Sequence, residues 1–271
     1  MARPYTGLAA PSGDGQRRTL AVLLAAVCAL AWVALAGWSA SPYGRYLTHG
    51  GWAEFGALDA LCAAVPAGGV VVPALAHALG WVLMIAAMML PTTWPLLALF
   101  SRLVAARRDR RTLVALVVAG FLAAWLAFGL LAHAADGGVL ALGARFPAVA
   151  THGWVLGAAV LAAAGLFQWS ALKYRCLEAC HSPFAFVSAR WHGRSPRREA
   201  WRLGVAHGAF CVGCCWALML VTFVVGMGNV GYMLLLAAVM AAEKNLPWGR
   251  RLRAPLGAAL LAGAALLVAL R

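Results

Sequence analysis

The sequence predicts an all-α fold: a polytopic transmembrane helix bundle of about seven spans, with its N terminus cytosolic and its C terminus outside. Three observations carry this. Hydrophobic residues make up 64% of the 271-residue chain and charged residues only 11%, with a mean hydropathy of +0.83. A water-soluble domain of that composition would lack the polar residues to cover its surface. Apolar stretches of about twenty residues recur along the chain, the length a helix needs to cross about 30 Å of hydrocarbon. Between them the arginines fall in short runs, the pattern of loops held in the cytosol by the positive-inside rule. The formal charge of +14 is spread over those runs and reads as a topology signal, so no nucleic-acid partner is expected.

In chain order, residues 1–18 are rich in Gly, Ala, Pro and Ser, lack an apolar period and read as a flexible cytosolic tail. Residues 19–271 read as one transmembrane domain. Arg17 and Arg18 precede the first span, 20–38, which is longer than a signal-peptide core and is expected to be retained. Cys28 within it reads as packing. Residues 41–69, with few cations and a single Cys62, suit the outer side. The second apolar stretch, 70–100, exceeds one crossing, and Pro91 and Pro95 predict a span followed by a kinked or interfacial turn.

Arg102, Arg107, Arg108, Arg110 and Arg111 form the densest basic loop and mark the cytosol. The third span is read at 112–135, an outer loop at 136–150 and the fourth span at 151–172. A basic cytosolic insert follows at about 173–202, carrying Lys173, Arg175, Arg190, Arg194, Arg197, Arg198 and Arg202. The fifth span lies at 203–225, a tight outer turn at 226–231 and the core of the sixth span at 232–242. Arg250, Arg251 and Arg253 return inside, and the seventh span runs from 254 to 270. This topology places every arginine run on one side.

The chemistry concentrates in one window. Five of the seven cysteines, Cys176, Cys180, Cys211, Cys214 and Cys215, fall within forty residues, with His181 and His207 among them. An odd number of cysteines near the cytosol, where thiols stay reduced, argues against a disulfide framework. Along a helix over 203–225, His207, Cys211 and Cys214 stand at i, i+4 and i+7. Cys215 lies four after Cys211 and Met219 four further on, so one face carries imidazole, thiol and thioether. Cys211 lies about 13 Å along that helix from Arg202, toward mid-membrane, where polar donors are costly unless something occupies them.

Cys176, Cys180 and His181 lie just beyond Lys173, at the expected cytosolic rim. If that segment is helical, the two thiols share a face and Glu178 does not. The spacing is like a lengthened haem-attachment motif, but that chemistry belongs to the outer face. The topology therefore predicts two candidate sites at different depths. Met84 and Met88, one turn apart on the second span, add thioethers. Glu243, beside Lys244 at the end of the sixth span, is a candidate hard ligand, proton acceptor or partner of His207, or else half of an interfacial ion pair. His49, His77, His133, His152 and His192 stand isolated and receive no role. Thiol, imidazole and thioether together select soft metals: Cu(I) first, zinc second, and an iron–sulfur centre last.

The segments Met88-Met89-Leu90-Pro91, Leu172-Lys173-Tyr174-Arg175-Cys176-Leu177-Glu178-Ala179-Cys180, Cys211-Val212-Gly213-Cys214-Cys215-Trp216-Ala217-Leu218-Met219 and Glu243-Lys244 resemble an uncharacterised bacterial family described as predicted metal-binding integral membrane proteins. The resemblance covers roughly residues 80–250. It implies a multi-spanning protein of the bacterial inner membrane that binds metal, with no reaction to carry over. Members of the family it resembles commonly have arginine after the second cysteine of the first pair, where this chain has His181, a further candidate ligand.

The leading expectation is thus a membrane protein that binds Cu(I) for transport, delivery or insertion, with the lipid bilayer around it and a metallochaperone or metalloenzyme as partner. A membrane thiol-disulfide oxidoreductase using Cys211 and Cys214 is the enzymatic alternative. A non-catalytic subunit of a larger complex, stabilised by metal, is the third. The sequence has neither a Walker loop nor a dinucleotide fingerprint, which argues against an ATP-driven pump in this chain.

Overall fold

A computed structural model describes residues 12–41, 71–146, 152–226 and 229–270. His49 and Cys62 lie outside the described residues, as does most of the outer loop read at 41–69. Among the described residues, all regular secondary structure is helical. Helix α1 (Ser12–Ser39) begins inside the segment read as a tail, so residues 12–18 extend the first apolar helix. Helix α2 (Val71–Met88) ends at the predicted proline break, a 3-10 turn at Pro91–Thr93, and α3 (Trp94–Leu103) follows. Pro91 has no N–H to continue the ladder. Thr92 and Thr93 donate their hydroxyls to the Met89 and Leu90 carbonyls at 2.7 Å each. The chain bends by 47° across this break.

Helix α4 (Arg110–Arg145) continues well past the predicted end at 135, carrying Asp136, Gly137 and Gly138 in what was read as an outer loop. Helix α5 (Gly153–Phe167) stops short of the predicted 172, and α6 (Ala171–His181) leaves it at 62°. The basic insert is therefore folded: it forms α6, α7 (Pro183–Ser188) and the first turns of α8 (Pro196–Val225). The Glu199 carboxylate fixes the entry to α8 by accepting the main-chain N–H groups of His192, Gly193, Arg194 and Ser195 at 2.7–3.0 Å. Gly226, at φ +91°, closes α8 in a backbone region that L side chains avoid. Helix α9 (Val230–Asn245), a 3-10 turn at Gly249–Leu252 and α10 (Arg253–Ala269) complete the chain.

Four helices, within Arg17–Ser39, Arg110–Gly143, Pro196–Val225 and Gly249–Ala269, are long and apolar enough to cross a membrane, and up to six spans result if each bent pair counts as one. The predicted sixth span corresponds to α9, whose 16 residues reach about 24 Å, less than the hydrocarbon thickness.

Helix α8 runs through the middle: 61% of its apolar window is buried, against 11–33% for the other three long helices. Its closest neighbour is α4, and small residues let the backbones meet. A Cβ on Gly204 would strike the Val117 carbonyl, and one on Gly120 the Trp201 carbonyl. Around this pair the starts of α1, α4 and α8 meet at one end of the bundle, where Thr19 and Leu20 share a surface pocket with Arg110 and Arg111. Arg107 and Asp109 line one surface pocket with Ser195, Pro196, Arg197 and Arg198. Arg17 lies 6.0 Å from the Trp94 ring at the start of α3. In the loop at that end, the Arg107 guanidinium bonded to Asp109 holds its carboxyl below the usual carboxylate range.

Candidate metal centre

The break between α5 and α6 decides the site. Ser170 caps α6 by accepting the Lys173 N–H at 3.1 Å, and the bend turns α6 back against α8. Cys176 is seated over Gly213, where any Cβ would overlap its Sγ. Cys180 faces Cys214 closely enough for their thiols to interact. On α8, Cys214 Sγ lies 3.3 Å from Cys215 Sγ and donates to the Cys211 carbonyl at 3.2 Å. Cys176, Cys211, Cys214 and Cys215 are buried and Cys180 is half-buried, all as free thiols.

The two depths expected from the sequence therefore collapse into one cluster. That expectation assumed that the chain leaves the fourth span into the cytosol; the bend turns it back along α8. As expected for a helix, the α6 thiols share a face, and Glu178 points the other way, to Arg250.

Two lysines close the cluster. Lys244 Nζ lies 2.9 Å from Cys211 Sγ, and 3.5 Å from both Met89 Sδ and Thr92 Oγ1. Cys214, Cys215 and Cys180 lie within its electrostatic reach. Lys173 Nζ meets both Glu243 oxygens, at 2.8 and 2.9 Å, and the Gln168 amide oxygen. Glu243 and Lys244 do not snorkel to the surface; both are buried. The Glu243 carboxylate is engaged by Lys173, and its main-chain carbonyl lies 2.8 Å from His181 Nε2. His181 thus ties α6 to α9.

His207 stands one turn before Cys211 with its ring between Phe121 and Phe186, at 5.8 and 5.5 Å. Its Nδ1 is buried and has no hydrogen-bond partner among the described residues. Met84 and Met88 are buried in the same core cluster as Cys176, Cys211, Cys214 and Cys215, together with Met89, Met219, Met233 and Met240.

Among the described residues, no three His, Cys, Asp or Glu side chains are set to hold a metal ion. The thiols point at one another, at a carbonyl and at Lys244, while His181 and Glu243 are spent on main-chain and lysine contacts. What is present is a dense set of soft donors without a preformed polyhedron. The sequence reading missed Lys173, Lys244 and Met89 as members of the site. A doubled Met88-Met89 beside Pro91 was the available signal for the last. Outside the site, His77 and His133, which look isolated in sequence, stack at 4.4 Å.

A model of the PpoB2 copper chaperone family matches residues 78–267, well over half of the chain. The chain belongs to this family. Membership in a copper chaperone family points to copper as the metal, and the matched segment contains the whole cluster, from Met84 to Lys244. No curated protein and no solved structure matches the chain.

Proposed function

We propose that the chain is an integral protein of the bacterial cytoplasmic membrane that takes up Cu(I) as cargo on the α6–α8 thiol cluster and passes it to a metalloprotein or metallochaperone partner. The observation that carries this reading is the convergence of Cys176 and Cys180 with Cys211, Cys214 and Cys215 in a member of a copper chaperone family. Two or three sulfurs suffice for Cu(I), whereas zinc asks for a closed four-donor shell, so a crowded sulfur cluster without a preformed shell favours copper.

Each candidate has a part. Cys211, Cys214 and Cys215 bind on α8; Cys176 and Cys180 complete the shell from α6, which packs over them and moves when cargo enters or leaves. His207, with its free buried Nδ1, accepts the ion at the end of the bundle nearer the arginines. Met84 and Met88 supply thioethers further along the core. His181 and Glu243, engaged as described, hold α6 to α9 and orient the shell. That basic end faces the cytosol. An oxidoreductase using Cys211 and Cys214 has less support, because both thiols are only 1% exposed and thiol-disulfide exchange needs access for a substrate disulfide.

The test is anaerobic purification of the full chain with elemental analysis for copper, zinc and iron, alongside Cys211→Ser/Cys214→Ser. Copper in the native chain, lost in the variant, is the expected result. Copper content equal in the two proteins overturns the assignment.

A further inference from the structure

Lys244 is buried, and among the described residues its ammonium meets no carboxylate: the adjacent Glu243 is held by Lys173. Its three neighbours are a thiol sulfur at 2.9 Å, a thioether sulfur at 3.5 Å and a hydroxyl at 3.5 Å. Sulfur is a weak acceptor for an ammonium, which is better matched by oxygen. A thiol and a thioether together match Cu(I). We propose that the Lys244 ammonium occupies the seat of the cargo ion, a cation pocket between Cys211 Sγ and Met89 Sδ, and that copper loading exchanges one cation for the other. Met89 is then a copper ligand. The inference rests on the copper reading above and specifies its first binding position.

The parts suit an exchange. Met89 sits at the proline break, its main-chain N–H held by the Ile85 carbonyl at 2.9 Å, so the backbone is fixed while the unbranched thioether can turn. Cys211 lies on the central helix α8, and Lys244, on the last turn of α9, has a flexible four-carbon stem that can withdraw without moving its helix. On entry, Cu(I) bonds to the Cys211 sulfur, whose S–H proton leaves to water, and takes a lone pair from Met89. No electron is transferred. Lys244 remains an ammonium and withdraws from the seat on its own stem, and the Cu(I)–Cys211 thiolate unit it leaves behind is neutral overall.

The experiment uses the full chain, labelled with selenomethionine, purified anaerobically and loaded with Cu(I), with selenium-edge X-ray absorption as the first readout. A copper–selenium contact is expected in the native sequence and is lost in Met89→Leu, while copper stays on the thiols with its dissociation constant raised about tenfold. Lys244→Leu, measured by competition with a chromophoric Cu(I) chelator, is expected to bind about tenfold more tightly, because the competing cation is gone. Absence of the selenium contact in the native chain, its persistence in Met89→Leu, or unchanged or weaker binding in Lys244→Leu overturns the seat. Native copper that is lost in Cys211→Ser/Cys214→Ser but shows no selenium contact leaves the functional reading standing and rejects this one. The native-chain measurement needs no substitution, so poor folding of a variant does not remove the test.

Discussion

Lys173 and Glu243 form an ion pair of 2.8 Å in which the side chains are 0% and 1% exposed. It joins α6 to α9 across the floor of the thiol cluster, with Gln168 as a further acceptor for the ammonium. Removing one partner leaves a buried, uncompensated charge, which costs about 3–5 kcal/mol. Lys173→Met or Glu243→Gln alone should therefore lower thermal stability in detergent strongly. The double variant Lys173→Met/Glu243→Met should recover most of the loss, because an apolar pair leaves no charge behind. Additive single losses in a double-mutant cycle would show that the two do not act as a pair.

Gly213 is the notch in which Cys176 sits. Gly213→Val forces α6 outward at an overpacking cost of about 1–3 kcal/mol. Maleimide labelling of Cys176, slow in the native chain because the thiol is buried, should accelerate by at least about tenfold on the linkage between opening and reactivity. Copper retention should fall in step, with the helical signal in circular dichroism unchanged. Unaltered labelling would mean that the notch does not hold α6.

The α4–α8 contact depends on Gly204 and Gly120, whose missing side chains allow carbonyls to approach. Gly204→Leu should destabilise by about 1–3 kcal/mol or more, since the obstacle is main chain and cannot rotate away. The same change at Gly137, where a Cβ meets nothing within 4 Å, should leave the unfolding temperature within a degree or two. Comparison of the two melting curves decides the point.

Arg107 and Arg197, which share a pocket at the starts of α4 and α8, and Arg110 and Arg111, which share another with Thr19 and Leu20 of α1, set the proposed orientation, with that end cytosolic. A membrane-impermeant maleimide added to intact cells should fail to label cysteines introduced at Arg108 or Arg194, and should label them after permeabilisation. Labelling in intact cells would invert the orientation.

Much of this architecture could be read before any coordinates. The apolar stretches locate the helices, because a run of about twenty residues without charges has few other solutions. Pro91 marks the 47° break, and the i, i+4, i+7 spacing of His207, Cys211 and Cys214 puts them on α8 in the expected order. The bend between α5 and α6 was not legible: Gln168, Trp169 and Ser170 carry no proline or glycine signal, and the turn depends on the packing of α6 against α8. The roles of Lys173 and Lys244 were hidden for a related reason. A lysine near a span end reads as a solvated anchor, and only the fold shows that its partners, Glu243 for one and Cys211 and Met89 for the other, lie far away in sequence. The single site was missed because depth was inferred along a straight helix.

The central claim is that the α6 and α8 cysteines build one copper site, and a Cu(I) titration against a chromophoric chelator tests it most directly, comparing the native chain with Cys176→Ser/Cys180→Ser and Cys211→Ser/Cys214→Ser. One shared site predicts that each double substitution weakens or removes the same copper equivalent, with no further loss when all four serines are combined. Two independent sites would leave each double variant with part of the native stoichiometry at native affinity, and that result would contradict the account.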